Sequence, residues 1–267
     1  MMVAYPHGEN RKQGFPMNSL ELWATATEPD LAVTTRGAVP PADVTRAVRA
    51  IGRVLRRHHL DAAAHVRVTA PADADQPTVV QANIHCRETR TRVQVPGPRG
   101  FAVTFAAERL DRQIARLGAE PMPRMWPDPA RPPLARVTEQ RPITRRKDYV
   151  LLEGSPAQAI EVLDAMDYDV HLFTDAETGE DAVVHWIDPD GVHMIRQHTT
   201  DPIESSPAPM ALTVDPAPAP RLDEGDAATQ LCWRGLPFLF YTDARTGRGH
   251  LLYRRYDGDL ALVRPAR

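Results

Sequence analysis

A tandem duplication organises the C-terminal half of this sequence. The segment Asp169–Arg196 recurs 68 positions later as Pro237–Arg264, and the clearest match aligns Phe173–Gly179 with Tyr241–Gly247. Stacked solenoids need about three or more repeats, and two copies are too few for that architecture. We therefore predict a paired, pseudo-two-fold unit and not an array.

Two proline clusters divide the chain. Six prolines between positions 121 and 133 and six between 202 and 220 interrupt any regular element, because proline blocks both helices and central strands. The predicted organisation is a disordered tail over 1–20, an N-terminal domain over 21–118, a Pro-rich linker over 119–140, repeat 1 over 141–198, a linker over 199–208 and repeat 2 over 209–267.

Hydrophobic periodicity predicts an α+β fold. The N-terminal domain has the order β-α-β-β-β-α, which is typical of a two-layer sandwich. Each repeat follows as β-α-β-β-β with Ile143–Arg146 as the leading strand of the first, and at about 57 residues each is marginal alone. The predicted N-terminal elements are Leu31–Thr35, Pro41–His58, His65–Thr69, Thr78–Cys86, Arg90–Val95 and Phe101–Leu117.

The composition excludes several protein classes. Cys86 and Cys232 are too far apart in sequence for a metal or redox pair, which is typical of a reducing cytosol. Residues 1–20 lack the apolar core of a signal peptide, and no stretch approaches the roughly 20 apolar residues of a membrane span. We expect a cytoplasmic protein with no membrane partner.

Arginine carries nearly all of the positive charge. The net charge is −3, and 30 of the 32 basic residues are arginine. Arginine suits bidentate phosphate contacts, although a GC-rich genome gives the same bias, so the positions must decide between these explanations. Helical spacing places two sets of arginines on helix faces that carry few acids, which favours phosphate binding over an ordinary solvated face. These sets are Arg46, Arg49, Arg53 and Arg56 with Arg57 beside them, and Arg109, Arg112 and Arg116.

Other candidates are less specific. Arg90 and Arg92, with Arg87, either extend the basic surface or form the polar face of a one-sided sheet. The aromatic residues of the repeat strands are expected to form the apolar interface between the two repeats. These interface candidates are Phe173, Trp186, Tyr241 and Tyr253.

No motif argues for catalysis. The sequence lacks phosphate-binding loops, dinucleotide fingerprints and nucleophile elbows, so we expect no enzyme, cofactor, metal or small-molecule substrate. Histidines cluster only in repeat 1, and their counterparts in repeat 2 are not histidine. An enzyme whose site escapes motif analysis would depend on His171, His185 and His193.

Three segments resemble a known family. They are the run Glu108–Arg116 in the last N-terminal helix, Thr144–Lys147 after the Pro-rich linker, and Gln158–Glu180 in repeat 1. Together they resemble the long-form bacterial ribosome hibernation promoting factors of the sigma-54 modulation protein family, and especially their actinobacterial dormancy-type variant.

The resemblance implies a function. The N-terminal domain would bind 16S rRNA and nearby proteins of the small ribosomal subunit in the mRNA and tRNA path, and would thereby silence translation and stabilise inactive 70S ribosomes under stress or dormancy. The family's basic residues correspond to the arginines of both helices. This chain departs from the family at Leu117–Glu120, where a lysine-rich helix end is common.

The duplication is a second departure from the family. Long-form factors pair their C-terminal domain with that of another molecule, whereas this chain already contains a second copy. We therefore expect a monomer whose two repeats pair within one chain. The alternative is an RNA-binding regulator that does not associate with ribosomes.

Overall fold

The computed structural model describes residues 23–25, 28–60, 63–71, 76–86, 89–118, 138–187, 191–201 and 212–266. The tail expected over residues 1–20, most of both predicted linkers, and Arg87 lie outside the described residues.

Helices and strands are mixed throughout this part of the chain, which confirms the prediction of an α+β protein. The elements are β1 Trp23–Thr25, β2 Glu28–Arg36, α1 Pro41–Arg57, β3 Ala64–Thr69, β4 Thr78–Cys86, β5 Thr89–Gly97, α2 Ala102–Gly118, β6 Ile143–Tyr149, β7 Glu153–Gly154, α3 Pro156–Ala165, β8 Val170–Asp175, β9 Asp181–Ile187, β10 Gly191–Arg196, β11 Leu212–Val214, β12 Arg221–Leu222, α4 Glu224–Trp233, β13 Phe238–Asp243, β14 Gly249–Arg254 and β15 Leu260–Pro265.

The N-terminal domain is a sheet covered on one face by two helices. Its strands lie in the order β1-β2-β3-β4-β5, and α1 packs beside α2. Alternate residues of the strands point to opposite faces, so Val66 joins Ile51 of α1 and Leu110 of α2 in the core. The other face is polar, where Arg67 donates a hydrogen bond to Gln81 at 3.2 Å.

The two repeats exchange their leading strands. The strand β6, at the start of repeat 1, pairs in parallel with β15 of repeat 2, where Arg145 lies opposite Ala261. The strand β11, at the start of repeat 2, pairs in parallel with β10 of repeat 1, where Leu212 lies opposite Val192. The sequence placed Ile143–Arg146 within repeat 1, whereas the structure places this strand on the sheet of repeat 2. The exchange covers one edge of each sheet, which would otherwise expose unpaired backbone groups.

The helices of the two repeats begin and end alike. Ser155 forms a capping box with Gln158 at the start of α3. Asp223 accepts a hydrogen bond from the backbone N–H of Asp226 at the start of α4, at 2.8 Å. After the helices, equivalent positions adopt left-handed backbone conformations, with φ of 51° at Asp167 and 60° at Gly235.

The sheets of the two repeats share an apolar core. Its buried members come from both copies and are Leu172, Val183, Ala219, Phe240 and Leu251.

None of the four aromatic residues expected at this interface is a member of the shared apolar core. Phe173 and Tyr241 are fully buried in the separate cores under α3 and α4, and Trp186 packs against the core of repeat 1. Tyr253 accepts a hydrogen bond from Lys147 at 2.6 Å. Adjacent strand residues face opposite ways, and both faces of these strands are buried, so aromatic character does not identify which face meets the other copy.

One polar contact at the interface joins equivalent positions of the two repeats. Asp181 and Gly249 are 68 positions apart, and the Asp181 carboxylate accepts a hydrogen bond from the Gly249 N–H at 2.8 Å and another from Arg248 at 2.7 Å. A Cβ atom at Gly249 would lie 2.5 Å from the Cβ of Asp181. This contact therefore needs one repeat with aspartate and one with glycine.

We expect Gly249→Ala to lower the free energy of unfolding by about 1–3 kcal/mol, because its methyl group would overlap Asp181 and the Phe240 ring. Gly225→Ala is the control, since the nearest atom to its added Cβ lies 3.4 Å away, and we expect it to stabilise helix α4 by up to about 1 kcal/mol. Denaturant unfolding measures both. Equal stability of the two variants would contradict the close packing at Gly249.

Candidate nucleic-acid interface

An open groove of about 660 Å³ runs between α1 and α2 on the outer side of the N-terminal domain. Four arginines of the first predicted set line it, together with the acidic residues Glu108 and Asp111 of α2. These arginines are Arg46, Arg49, Arg53 and Arg57.

Polar contacts join the two helices at both ends of the groove. Arg46 donates to the backbone oxygen of Gly100 and to Asp43, both at 2.7 Å. At the other end Asp111 accepts from Arg57 at 2.7 Å and lies 2.9 Å from His58. These contacts engage two of the arginines, while the buried apolar core holds α1 against α2 and so positions the arginines between them.

The arginines in the middle of the groove are exposed. Within the described ranges, Arg49 and Arg53 have no hydrogen-bond or ion-pair partner, and Arg56 is also exposed. A guanidinium group on a fixed helix loses less conformational freedom when it binds a planar or tetrahedral anion than a guanidinium group on a mobile segment does. This arrangement is suited to phosphate groups of a polyanion.

The structure separates the arginines of α2. Arg109 is buried against repeat 1, where its guanidinium donates two hydrogen bonds to the Asp167 carboxylate at 2.8 and 2.7 Å. Arg116 forms an ion pair with Asp164. Arg112 is exposed and has no partner among the residues that the structure describes. Of this predicted set, only Arg112 is therefore fully exposed and able to bind a phosphate group in this arrangement.

Helix geometry explains this separation. Seven residues make almost two turns, so Arg109 and Arg116 point in nearly the same direction, about 20° apart, while Arg112 points about 60° from Arg109 and about 40° from Arg116. Sequence spacing groups the three residues on one broad face. It does not show that another part of the same chain covers part of that face.

The arginines of β5 lie on the polar face and edge of the sheet. Arg90 is exposed, whereas the Arg92 guanidinium carbon lies 5.1 Å from the centre of the Tyr168 ring in repeat 1. Such a cation–π contact is stabilising at about 0.5–2 kcal/mol. Arg92 thus belongs to the contact between domains as well as to the basic surface.

A second group of cations was not identified from the sequence. It comprises Arg36 and Arg67 of the N-terminal sheet with Arg145 and Lys147 of β6. Burial lowers the pKa of Arg67, and the positive charges of Arg145 and Arg36 lower it further. Burial lowers the pKa of Lys147 to about 8, and neighbouring arginines contribute. The outward positions of alternating strands could have indicated Arg67, but only the tertiary structure brings β6 to it.

Two histidines of repeat 1, His171 and His185, are neutral near pH 7. Burial lowers the pKa of both His171 and His185 to about 4. Among the described residues, no group of three or more histidine, cysteine, aspartate or glutamate side chains could hold a metal ion. Within the same residues, none of the helices is both long and apolar enough to cross a membrane.

We expect Lys147→Met to raise the melting temperature at pH 7, with a gain that disappears as the pH rises toward about 10.5. The folded pKa near 8 lies below the usual value, so burial of the charged form opposes folding below pH 8 and is relieved as the folded lysine loses its proton. Thermal unfolding of both proteins from pH 7 to 10 measures the difference. A gain that is constant over this range would contradict the lowered pKa.

Comparisons with known proteins identify the family. Residues 138–189 match the model of the sigma 54 modulation/S30EA ribosomal protein C terminus. The dormancy associated translation inhibitor of Mycobacterium tuberculosis, from strains CDC 1551/Oshkosh and ATCC 25618/H37Rv, is 46% identical over 243 residues, which cover 89% of each chain.

Two solved structures resemble parts of the chain. The Thermus thermophilus Protein Y N-terminal domain is 17% identical and covers 33% of this chain and 93% of its own, with a TM-score of 0.28. A ribosomal subunit interface protein from Coxiella burnetii is 15% identical and covers 34% of this chain and 98% of its own, with a TM-score of 0.29. Scores this low add nothing to the assignment. The identity across 89% of the chain shows that it belongs to the family of the dormancy associated translation inhibitor, with the C-terminal domain of the sigma 54 modulation/S30EA ribosomal proteins.

Proposed function

We propose that this protein is a ribosome hibernation factor. It binds 16S rRNA and nearby proteins of the small subunit in the mRNA and tRNA path, silences translation, and stabilises inactive 70S ribosomes. The observation that carries the proposal is the groove between α1 and α2, where Arg49 and Arg53 are exposed on a helix that the buried core holds in place. The relative that is 46% identical is named a translation inhibitor.

The chemistry of the groove favours contact with the RNA backbone. Guanidinium groups neutralise phosphates and release the counterions around them, which supplies affinity without reading the base sequence. A factor that acts by occupying a path needs this kind of binding, because it must hold ribosomes irrespective of the message they carried. Inhibition by occupancy requires no catalytic group.

The repeats favour a factor that acts as a monomer. Exchange of β6 and β11 and the shared apolar core already pair the copies within one chain. A tethered partner has an effective concentration of about millimolar, far above that of a second molecule. The Asp181–Gly249 contact also favours unlike copies, because two copies of repeat 1 would bring two carboxylates together. On this proposal the protein stabilises single ribosomes and does not join two.

Charge reversal of Arg49, Arg53 and Arg112 in the full chain should release it from ribosomes at moderate salt. If about five phosphates are neutralised, the logarithm of the wild-type association constant should fall against the logarithm of the salt concentration with a slope of about −3.5 to −4.5. The slope of the variant should be smaller in magnitude by about 2–3. Co-sedimentation through sucrose gradients at several salt concentrations measures both quantities. Unchanged binding by the variant would exclude this surface.

The matched control reverses three exposed arginines of repeat 2, at Arg221, Arg234 and Arg245. It changes the net charge equally and should leave ribosome binding intact. Equal loss in both variants would indicate that only total charge matters. A wild-type protein that binds RNA in a salt-sensitive way but stays at the top of the gradient would favour the RNA regulator that does not associate with ribosomes.

The oligomeric outcome has a separate test. Analytical ultracentrifugation of 70S ribosomes with excess protein should show no new 100S peak, because each chain pairs its own repeats. A protein-dependent 100S peak would contradict pairing within the chain and would show that the C-terminal unit joins different molecules.

A further inference from the structure

Repeat 1 holds the RNA-binding domain through the end of helix α3. The buried pair of Arg109 and Asp167 has side chains only 6% and 1% exposed. Beside it, Arg116 pairs with Asp164, whose side chain is 3% exposed. Both carboxylates thus contact arginines of the helix that also carries Arg112.

Uncharged contacts complete this junction. Gln113 of α2 donates to the backbone oxygens of Asp164 and Ala165, at 2.7 and 3.2 Å. The last carbonyls of a helix have no partner within the helix and accept from donors outside it. The Thr91 hydroxyl of β5 also donates to the Ala165 oxygen at 2.7 Å. The Ala165 carbonyl in the last turn of α3 therefore finds its donors in the N-terminal domain, whereas those of Leu163 and Asp164 also accept from backbone N–H groups that follow the helix.

Only one of the two repeats can make this junction. The counterparts of Asp164 and Asp167 in repeat 2 are Cys232 and Gly235, neither of which carries a carboxylate. The counterpart of the buried Ala165 is Trp233, which is 76% exposed. The copies share their fold, and they differ at the positions that touch α2.

The backbone at Asp167 supports a specific role for this carboxylate. Its φ of 51° is a left-handed conformation that glycine adopts freely and that residues with a Cβ adopt at an energetic cost. Repeat 2 has Gly235 there, with a φ of 60°. Repeat 1 keeps aspartate in spite of this cost, and its carboxylate is the group that binds Arg109.

We propose that the end of α3 is an internal docking surface that competes with RNA for the arginines of α2. In the free protein, Asp164 and Asp167 occupy Arg109 and Arg116, and repeat 1 covers that side of the RNA-binding domain. RNA phosphates replace the carboxylates when the protein engages its target, and the C-terminal unit is released. This inference rests on the proposed function for the identity of the RNA.

The competition has a defined thermodynamic form. When only the open form uses all of its arginines, the apparent dissociation constant equals the intrinsic constant divided by the open fraction. Coupling between two sites is reciprocal, so RNA binding favours opening by the same factor with which opening favours RNA binding. Substitutions that weaken the docking surface should therefore tighten RNA binding, although the residues they replace do not contact RNA.

The test uses the full chain with Asp164→Asn and Asp167→Gly. Glycine at 167 is what repeat 2 has at the equivalent position, and asparagine at 164 keeps the shape of the side chain, so repeat 1 should fold. Small-angle X-ray scattering without ribosomes should show a larger radius of gyration. Affinity for small ribosomal subunits should rise about tenfold, within the usual 5- to 150-fold range of such coupling.

Two further variants distinguish the effect of docking from the effects of a changed net charge and of misfolding. Glu161→Gln removes one exposed negative charge from the same helix, and both its radius of gyration and its affinity should equal those of the wild type. Thr91→Val leaves both carboxylates in place and removes only the hydrogen bond to Ala165, so it should open the protein less than the double variant. Circular dichroism verifies that each variant is folded.

Each outcome decides a different proposal. A folded double variant that stays as compact as the wild type, or that binds small subunits no more tightly, would overturn the docking surface. If no chain binds small subunits, the proposed function fails, and a short RNA duplex then serves as the probe. Tighter duplex binding by the double variant would still support the docking surface, whereas equal binding would overturn it as well.

Discussion

The exchange of leading strands between the repeats is the constraint on which the C-terminal half depends. Because β6 completes the sheet of repeat 2 and β11 completes that of repeat 1, neither copy has a whole sheet without the other. A unit of about 57 residues buries little surface and is only marginally stable alone. The strand exchange and the shared core add buried area to both repeats. The position of β6 also brings Arg145 and Lys147 to the polar face of the N-terminal sheet.

Local features of the fold were predictable from the sequence because they depend on neighbouring residues. The duplication, helix α1 and the capping box at Ser155 follow from spacing and from short-range hydrogen bonds. The destination of β6 was not predictable in this way, since a strand has the same pattern whether it joins its own repeat or the other one. The interface between repeats was missed for a related reason: Phe173 and Leu172 are adjacent, and either could have faced the second copy.

The candidate site shows the same division between local and tertiary information. Helical spacing correctly places Arg49 and Arg53 on an exposed face of α1. It also groups Arg109 with Arg112, although Arg109 is buried against a carboxylate and Arg112 is exposed. A guanidinium group binds carboxylates and phosphates with similar geometry, so residue type alone does not distinguish an internal ion pair from an RNA contact. Burial and the position of a partner distinguish them.

Divergence between the duplicated copies indicates where each has acquired its own task. At the interface of the repeats, Asp181 faces Gly249, and this difference makes unlike copies complementary. After the helix of each repeat, Asp167 corresponds to Gly235, and this difference lets only repeat 1 bind α2. Both substitutions exchange a carboxylate for a residue without a side chain, and each carboxylate is buried beside an arginine. A buried carboxylate without its arginine would be strongly unfavourable, so each aspartate commits its repeat to one partner. The two contacts thus give a symmetric duplication an asymmetric assembly, in which the helix end of repeat 1 binds the N-terminal domain and its sheet binds repeat 2.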